Sequence, residues 1–343
     1  MCKIDIHTHI LPERIPNWVE RFGYGGFIHL ESRSNCEADM MIGDQFFRRI
    51  ESNCWHPLER IAEMDNTGIR KQVLSIIPVL FNYWAQGKHG LETSRYFNDY
   101  IAEVCQKHSD RYFGLATLPL QDPELACQEM ERCANELGLQ GIEIGSHVND
   151  WNLDRVELYP VFEKAQELDM CVFVHPWDMM GKARMEKYWL PWLVGMPAET
   201  SLAICSMIFS GLFDKLPGLR VAFAHGGGSF PITIGRIKHG FDCRPDLVAI
   251  DNPISPEKYL GRFWVDSLVH HPKSLEFLID LIGEDKVAFG SDYPFPLGDL
   301  TGGQWIKEMP LSDLIKEKIN YRNAWKWLFN DKAIPSDWNT TAL

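Results

Sequence analysis

The chain has 343 residues, 45% apolar and 24% charged, an ordinary globular balance that excludes a disordered polymer. A net charge of −13, with no basic cluster, argues against nucleic acid as a partner, and a small anionic substrate would have to meet individual cations inside a site. Nine cysteines without a Cys-x-x-Cys pair read as reduced thiols. No basic-then-apolar leader opens the sequence, and no apolar run approaches the roughly 18 residues that span a bilayer, so a cytoplasmic protein without membrane contact is expected.

The first strand candidate, Lys3–Ile10, contains Asp5-Ile6-His7-Thr8-His9. Residues two apart on a strand share a side, so His7 and His9 are expected to point together. The stretch from Pro12 to about Pro57 then breaks the rhythm of the chain. It reads as a small insertion over residues 13–57 on the first strand–helix loop, inside a single barrel domain covering residues 1–343. Gln72–Pro78 and Phe113–Leu120 are the next strands. Asp122 caps a helix that Pro123 and Glu124 begin and Gly138 ends. The fourth strand, Gly141–Val148, closes on Ile144-Gly145-Ser146-His147. It offers no lysine to bridge a second metal, and His147 is either a ligand or a structural histidine. Met170–Trp177 carries His175. An apolar helix over Pro197–Lys215 precedes the sixth strand, Leu219–His225, which runs into Gly226-Gly227-Gly228, a turn that permits close approach of backbone or substrate. Phe263–Leu268 and Val287–Tyr293, the latter carrying Asp292, complete eight strands. Eight strand–helix units predict an α/β fold of the (β/α)8 TIM-like barrel type. An open doubly wound sheet would place a glycine-rich turn after its first strand, and none follows Ile10.

Five ionisable residues end apolar strands at what would be the barrel mouth, the place where such barrels keep their sites. Three imidazoles and a carboxylate, His7, His9, His175 and Asp292, suit one Zn2+, with iron, cobalt or manganese as other occupants. A fifth ligand would crowd a tetrahedral ion. His225 therefore reads as the catalytic proton-transfer group, its ordinary pKa lying near neutrality.

The ordered set of His-x-His, two later histidines and a late aspartate resembles the amidohydrolase superfamily. The longer motifs Phe173-Val174-His175-Pro176-Trp177-Asp178-Met179-Met180, Leu190-Pro191-Trp192-Leu193-Val194-Gly195-Met196-Pro197-Ala198-Glu199-Thr200 and Gly290-Ser291-Asp292-Tyr293-Pro294-Phe295-Pro296-Leu297-Gly298 are similar to the 2-amino-3-carboxymuconate-6-semialdehyde decarboxylases within it. The resemblance runs from Asp5 to about Phe329. It implies one zinc on His7, His9, His175 and Asp292, and proton transfer by His225. It further implies carboxylate binding by Arg48 and Arg236, and aromatic contacts from Trp189 and Phe295. It also implies a homodimer in which Arg236 serves the neighbouring subunit's site, and a role in tryptophan breakdown through kynurenine or in related aromatic catabolism. The segment Ser34–Phe47 departs from the family: it holds Asp39 and Asp44 but no lysine or arginine. A metal-dependent hydrolase and a hydroxybenzoate-type decarboxylase are the alternative readings.

Overall fold

The computed structural model describes residues 2–338. The chain begins with β1 (Ile4–Ile10) and then leaves the barrel for a small antiparallel sheet, β2 (Ile28–Ser32), β3 (Glu37–Ile42) and β4 (Gln45–Glu51). It returns as β5 (Lys71–Ile76), β6 (Tyr112–Ala116) and β7 (Gly141–Gly145). A two-rung hairpin follows, β8 (His147–Val148) with β9 (Trp151–Asn152). The last barrel strands are β10 (Cys171–His175), β11 (Val221–Phe223), β12 (Trp264–Asp266) and β13 (Val287–Ala288). The eight barrel strands are hydrogen-bonded in the order β1-β5-β6-β7-β10-β11-β12-β13, and all their pairings are parallel. Closure comes from the Ile6 N–H donating to Phe289 O (2.9 Å), Asp292 N–H to His7 O (2.8 Å) and His9 N–H to Tyr293 O (2.8 Å). This is the expected (β/α)8 barrel.

Side-chain parity explains two layers of core. On β10, Val172 and Val174 pack outward under the helices, while Cys171 and Phe173 join an inner cluster with Leu115, Ala222 and Ala288. The same alternation holds on β11 and β12, as the two-residue period requires. β1 departs from it. Ile4 and Ile6 lie in the inner cluster, yet Ile10 lies in the outer one. The register against β5 slips between Asp5 and Thr8. One extra residue there flips the parity, so the upper half of the strand turns its odd positions, His7 and His9, inward.

Several local expectations need correction. Leu219–His225 is not a strand to its end: β11 stops at Phe223, and His225 sits at φ +56° in a tight turn. The helix over Pro197–Lys215 is two, Met196–Phe209 and Leu212–Lys215, broken at Gly211 with φ +69°. With the turn before it, the first of these forms a helical stretch, Pro191–Phe209, that is long and apolar enough to cross a membrane. It packs as one of the barrel's covering helices, burying Ala203, Ile204, Met207 and Ile208. The triple glycine also has a tighter role than expected. A Cβ on Gly226 would fall 2.4 Å from Val269, and one on Gly228 would fall 2.3 Å from the carbonyl of Pro197. The absent side chains are required by packing.

Candidate active site

His7, His9, His175, His225 and Asp292 converge at the C-terminal mouth of the barrel. His7 and His175 have ring centroids 5.0 Å apart, His9 and His175 5.0 Å, and His175 and His225 5.2 Å. Asp292 reaches into the group: its Oδ1 lies 3.2 Å from His9 Nε2 and 3.5 Å from His7 Nε2, and its Oδ2 lies 3.6 Å from His225 Nε2. Asp292 and His225 both hold left-handed backbone conformations, at φ +58° and +56°. Such strain in non-glycine residues persists where surrounding contacts enforce it.

Hydrogen bonding divides the histidines into two kinds. His7 Nδ1 faces the Asp266 carboxylate (2.7 Å), His9 Nδ1 the carbonyl of Ile76 (3.1 Å) and His175 Nδ1 the carbonyl of Pro176 (2.7 Å). Each partner only accepts, so each Nδ1 carries the proton and each Nε2 presents a lone pair. All three Nε2 atoms are buried without a hydrogen-bond partner among the described residues. Three fixed, orphaned lone pairs beside a carboxylate are the donor set of a divalent metal site. His225 differs, since neither of its ring nitrogens has a hydrogen-bond partner among the described residues to fix its tautomer. Ligand atoms of His7, His175, His225 and Asp292 all lie within 4.8 Å of one another, a set that holds His225 in place of His9. His9 lies outside that set, but its Nδ1 is held by a carbonyl in the way that ordinarily locks a ligating histidine.

Electrostatics agree with this division. Burial, reinforced by the neighbouring His7 and His9, pushes the His175 pKa well down and keeps the ring neutral. Burial likewise lowers His9. Burial opposes ionisation of Asp292, but His7, His225 and His9 hold its carboxyl well below the usual carboxylate range. For His225 burial acts downward, yet Asp292 and then Asp266 more than offset it and the net shift is upward.

Two buried acids belong to the site and were not singled out from the sequence. Asp266, at the inward position ending β12, binds His7 Nδ1 and accepts the backbone N–H groups of His225 (2.8 Å), Gly226 (2.8 Å) and Leu268 (3.0 Å). It therefore orients one histidine and pins the turn that carries another. Glu143, inward on β7, lies 3.7 Å from His9 Nδ1, and burial raises its carboxyl pKa far above the ordinary range. His147 is outside the cluster, stacked on Trp177 at 5.4 Å with its Nδ1 3.5 Å from Glu199.

A cavity of about 680 Å³ opens over His9, His175 and Asp292. Arg48, Trp189 and Phe295 line it, as do Trp84, Trp177 and Trp192. Arg48 comes from β4 of the inserted sheet. Its guanidinium lies 4.6 Å above the Phe295 ring and 5.9 Å from Trp192, and among the described residues it has no hydrogen bond or ion pair. In the departing segment, Asp39 is buried and accepts hydrogen bonds from Arg49 (2.8 Å) and Arg33 (2.5 Å). Arg236 is not brought to this cavity. It stands exposed on helix Phe230–Cys243, without a hydrogen bond or ion pair among the described residues. A second cavity, about 700 Å³, is lined by His225 and shares Trp192, Met196 and Leu297 with the first.

The amidohydrolase family model matches residues 4–329. The chain belongs to the amidohydrolase family. The 2-amino-3-carboxymuconate-6-semialdehyde decarboxylase of Dictyostelium discoideum is 55% identical over 95% of this chain and 91% of its own. The enzyme of that name from Caenorhabditis elegans is 37% identical over 97% and 95%. Among solved structures, a 5-carboxyvanillate decarboxylase from Novosphingobium aromaticivorans with bound manganese is 25% identical, superposes with a TM-score of 0.79, and is covered over 97% of its length and 96% of this one. As an amidohydrolase barrel, the chain places its histidine–aspartate cluster at the strand ends where the family keeps its metal.

Proposed function

We propose that this amidohydrolase catalyses the metal-dependent, non-oxidative decarboxylation of 2-amino-3-carboxymuconate 6-semialdehyde to 2-aminomuconate 6-semialdehyde and CO2. The observation that carries the proposal is the 55% identity, across nearly the whole length of both chains, to the Dictyostelium discoideum decarboxylase of that name. The cavity is consistent with it: a half-buried guanidinium unpaired among the described residues, a wall of aromatic rings and a cluster fit for a divalent ion suit a flat, conjugated, anionic substrate.

His7, His9, His175 and Asp292 would hold the metal, and nitrogen and oxygen donors in that ratio favour zinc. When bound, the ion would supply positive charge that orients the anionic substrate and acidifies a water. The protein's own groups do the rest. Arg48 holds a carboxylate by charge-assisted hydrogen bonds, and Phe295 and Trp189 cover the conjugated plane. Direct loss of CO2 would leave a lone pair on carbon. His225 instead gives a proton to the carbon that bears the leaving carboxylate, so that the enamine becomes an iminium. The C–C bonding pair then flows into that iminium, CO2 departs and the enamine re-forms. One proton enters for each CO2 released.

The protein would act as a homodimer. Arg236 shares a helix face with Ile232, four residues earlier and 75% exposed at the rim of the second cavity. An unpaired arginine beside an exposed apolar rim suits insertion toward His225 of a partner subunit. Cytoplasmic tryptophan breakdown through kynurenine, or a related aromatic pathway, is the setting. Neither a hydrolase nor a hydroxybenzoate decarboxylase is favoured by a particular side chain. The test is to follow the visible absorbance of the semialdehyde with zinc-loaded and chelator-treated protein, beside 5-carboxyvanillate. Metal-dependent consumption of the semialdehyde alone supports the proposal. Consumption of 5-carboxyvanillate instead contradicts it.

A further inference from the structure

Arg48 is not the only cation lining the main cavity. Lys182 lines it too, from a short turn, Lys182–Arg184, in the loop that follows β10. That loop forms much of the cavity mouth, contributing Asp178, Met179, Lys182, Met185, Glu186 and Trp189. Three of its non-glycine residues, Asp178, Tyr188 and Trp189, hold φ between +43° and +64°. Within it the Lys182 ammonium pairs with the Asp178 carboxylate, four residues earlier. Both side chains are about half exposed, at 61% and 49%, and an ion pair so placed holds its partners weakly.

Resting on the reading of the site as one for a dicarboxylate, we infer that Lys182 is a substrate-binding residue that exchanges Asp178 for a substrate carboxylate. A dicarboxylate carries two separate negative charges, one more than a single guanidinium neutralises, and Lys182 is the remaining cation of this chain on the cavity wall among the described residues. A lysine on four rotatable bonds changes partners without moving the backbone. Asp178 thus competes with substrate for the same ammonium and excludes neutral ligands from profiting by it. Glu186, also on the wall and without a partner among the described residues, adds negative charge but has no such link to Lys182.

The two members of the pair therefore have opposite effects, which a merely structural bridge would not produce. The test is a double-mutant cycle on zinc-loaded protein, read by quenching of the cavity tryptophans on titration with isophthalate, a planar dicarboxylate. Lys182→Gln is expected to weaken binding about five- to tenfold. Asp178→Asn is expected to tighten it, and that gain is expected to vanish when Lys182→Gln is present. Glu186→Gln calibrates the plain field effect, with the same gain in both backgrounds. The inference is overturned if isophthalate fails to bind the parent protein, if Lys182→Gln binds as well as the parent, if both pair variants weaken binding alike, or if the Asp178→Asn gain survives without Lys182. Because the readout is binding, a protein that obeys the cycle yet leaves the semialdehyde intact would refute the proposed reaction while upholding the role of Lys182.

Discussion

Replacing Asp266 by asparagine removes one oxygen from a carboxylate that serves four donors. Oδ2 takes His7 Nδ1 and the His225 N–H, and Oδ1 takes the Gly226 and Leu268 N–H groups. An amide offers one oxygen and one NH2, so two donors must face an N–H whichever way it turns. Each buried donor left unsatisfied costs about 1–3 kcal/mol, giving a loss of about 2–6 kcal/mol, a large share of the 5–15 kcal/mol typical of a folded domain. If the NH2 faces His7, that ring must move its proton to Nε2 and withdraw the lone pair from the metal. Loss of such an orienting carboxylate costs about 10- to 100-fold in metal affinity, or about 1.4–2.7 kcal/mol. Urea unfolding of the metal-free protein measures the first quantity and competition with a chromogenic chelator the second. An unfolding midpoint and a metal affinity both indistinguishable from the parent would refute the role given to Asp266.

His225→Ala is expected to keep its full metal content and lose turnover by about 10²-fold or more; metal loss in elemental analysis would make His225 a ligand. Arg48→Met should raise KM for the dicarboxylate substrate by about 10-fold or more while leaving the metal bound, since a charge-assisted carboxylate contact is worth about 1.5–3 kcal/mol; an unchanged KM refutes the contact. Mixing inactive Arg236→Ala and His225→Ala proteins under verified subunit exchange should restore activity, because each mixed dimer then has one site with neither lesion. No recovery would remove Arg236 from the partner's site.

The barrel was legible because its strands are buried on both faces and read as short apolar runs between capped helices. Asp122, Pro123 and Gly138 cap and end their helix as their chemistry requires: the Asp122 side chain accepts the Leu125 N–H at 3.3 Å, and Gly138 takes φ +68°. The ends of β11 and β13 were not legible. β11 stops two residues before His225 and β13 four before Asp292, and both residues are then held left-handed by contacts from distant segments. The pairing of His7 with His9 followed from the period of two, but the parity flip after Ile6 that aims them inward is a property of the register with β5. Asp266 and Glu143 left a signal that was passed over: each is a lone acid in an otherwise apolar strand, and each was interior to its expected strand, Phe263–Leu268 or Gly141–Val148, whereas attention fell on residues near the expected strand ends; β12 in fact stops at Asp266. The meeting of Arg48 with Phe295 and Trp192 is tertiary, and no local pattern announces it. Lys182 sits in an irregular loop that carries no periodic signal at all.

The most direct test of the central claim is turnover of the semialdehyde in D2O, with headspace CO2 and the product's mass measured together. Protonation by His225 followed by loss of CO2 predicts one CO2 per substrate consumed and one solvent deuterium at the carbon that carried the carboxylate. A product that keeps that carboxylate, or one that has instead gained an oxygen from water, would contradict decarboxylation and assign the metal site to hydrolysis.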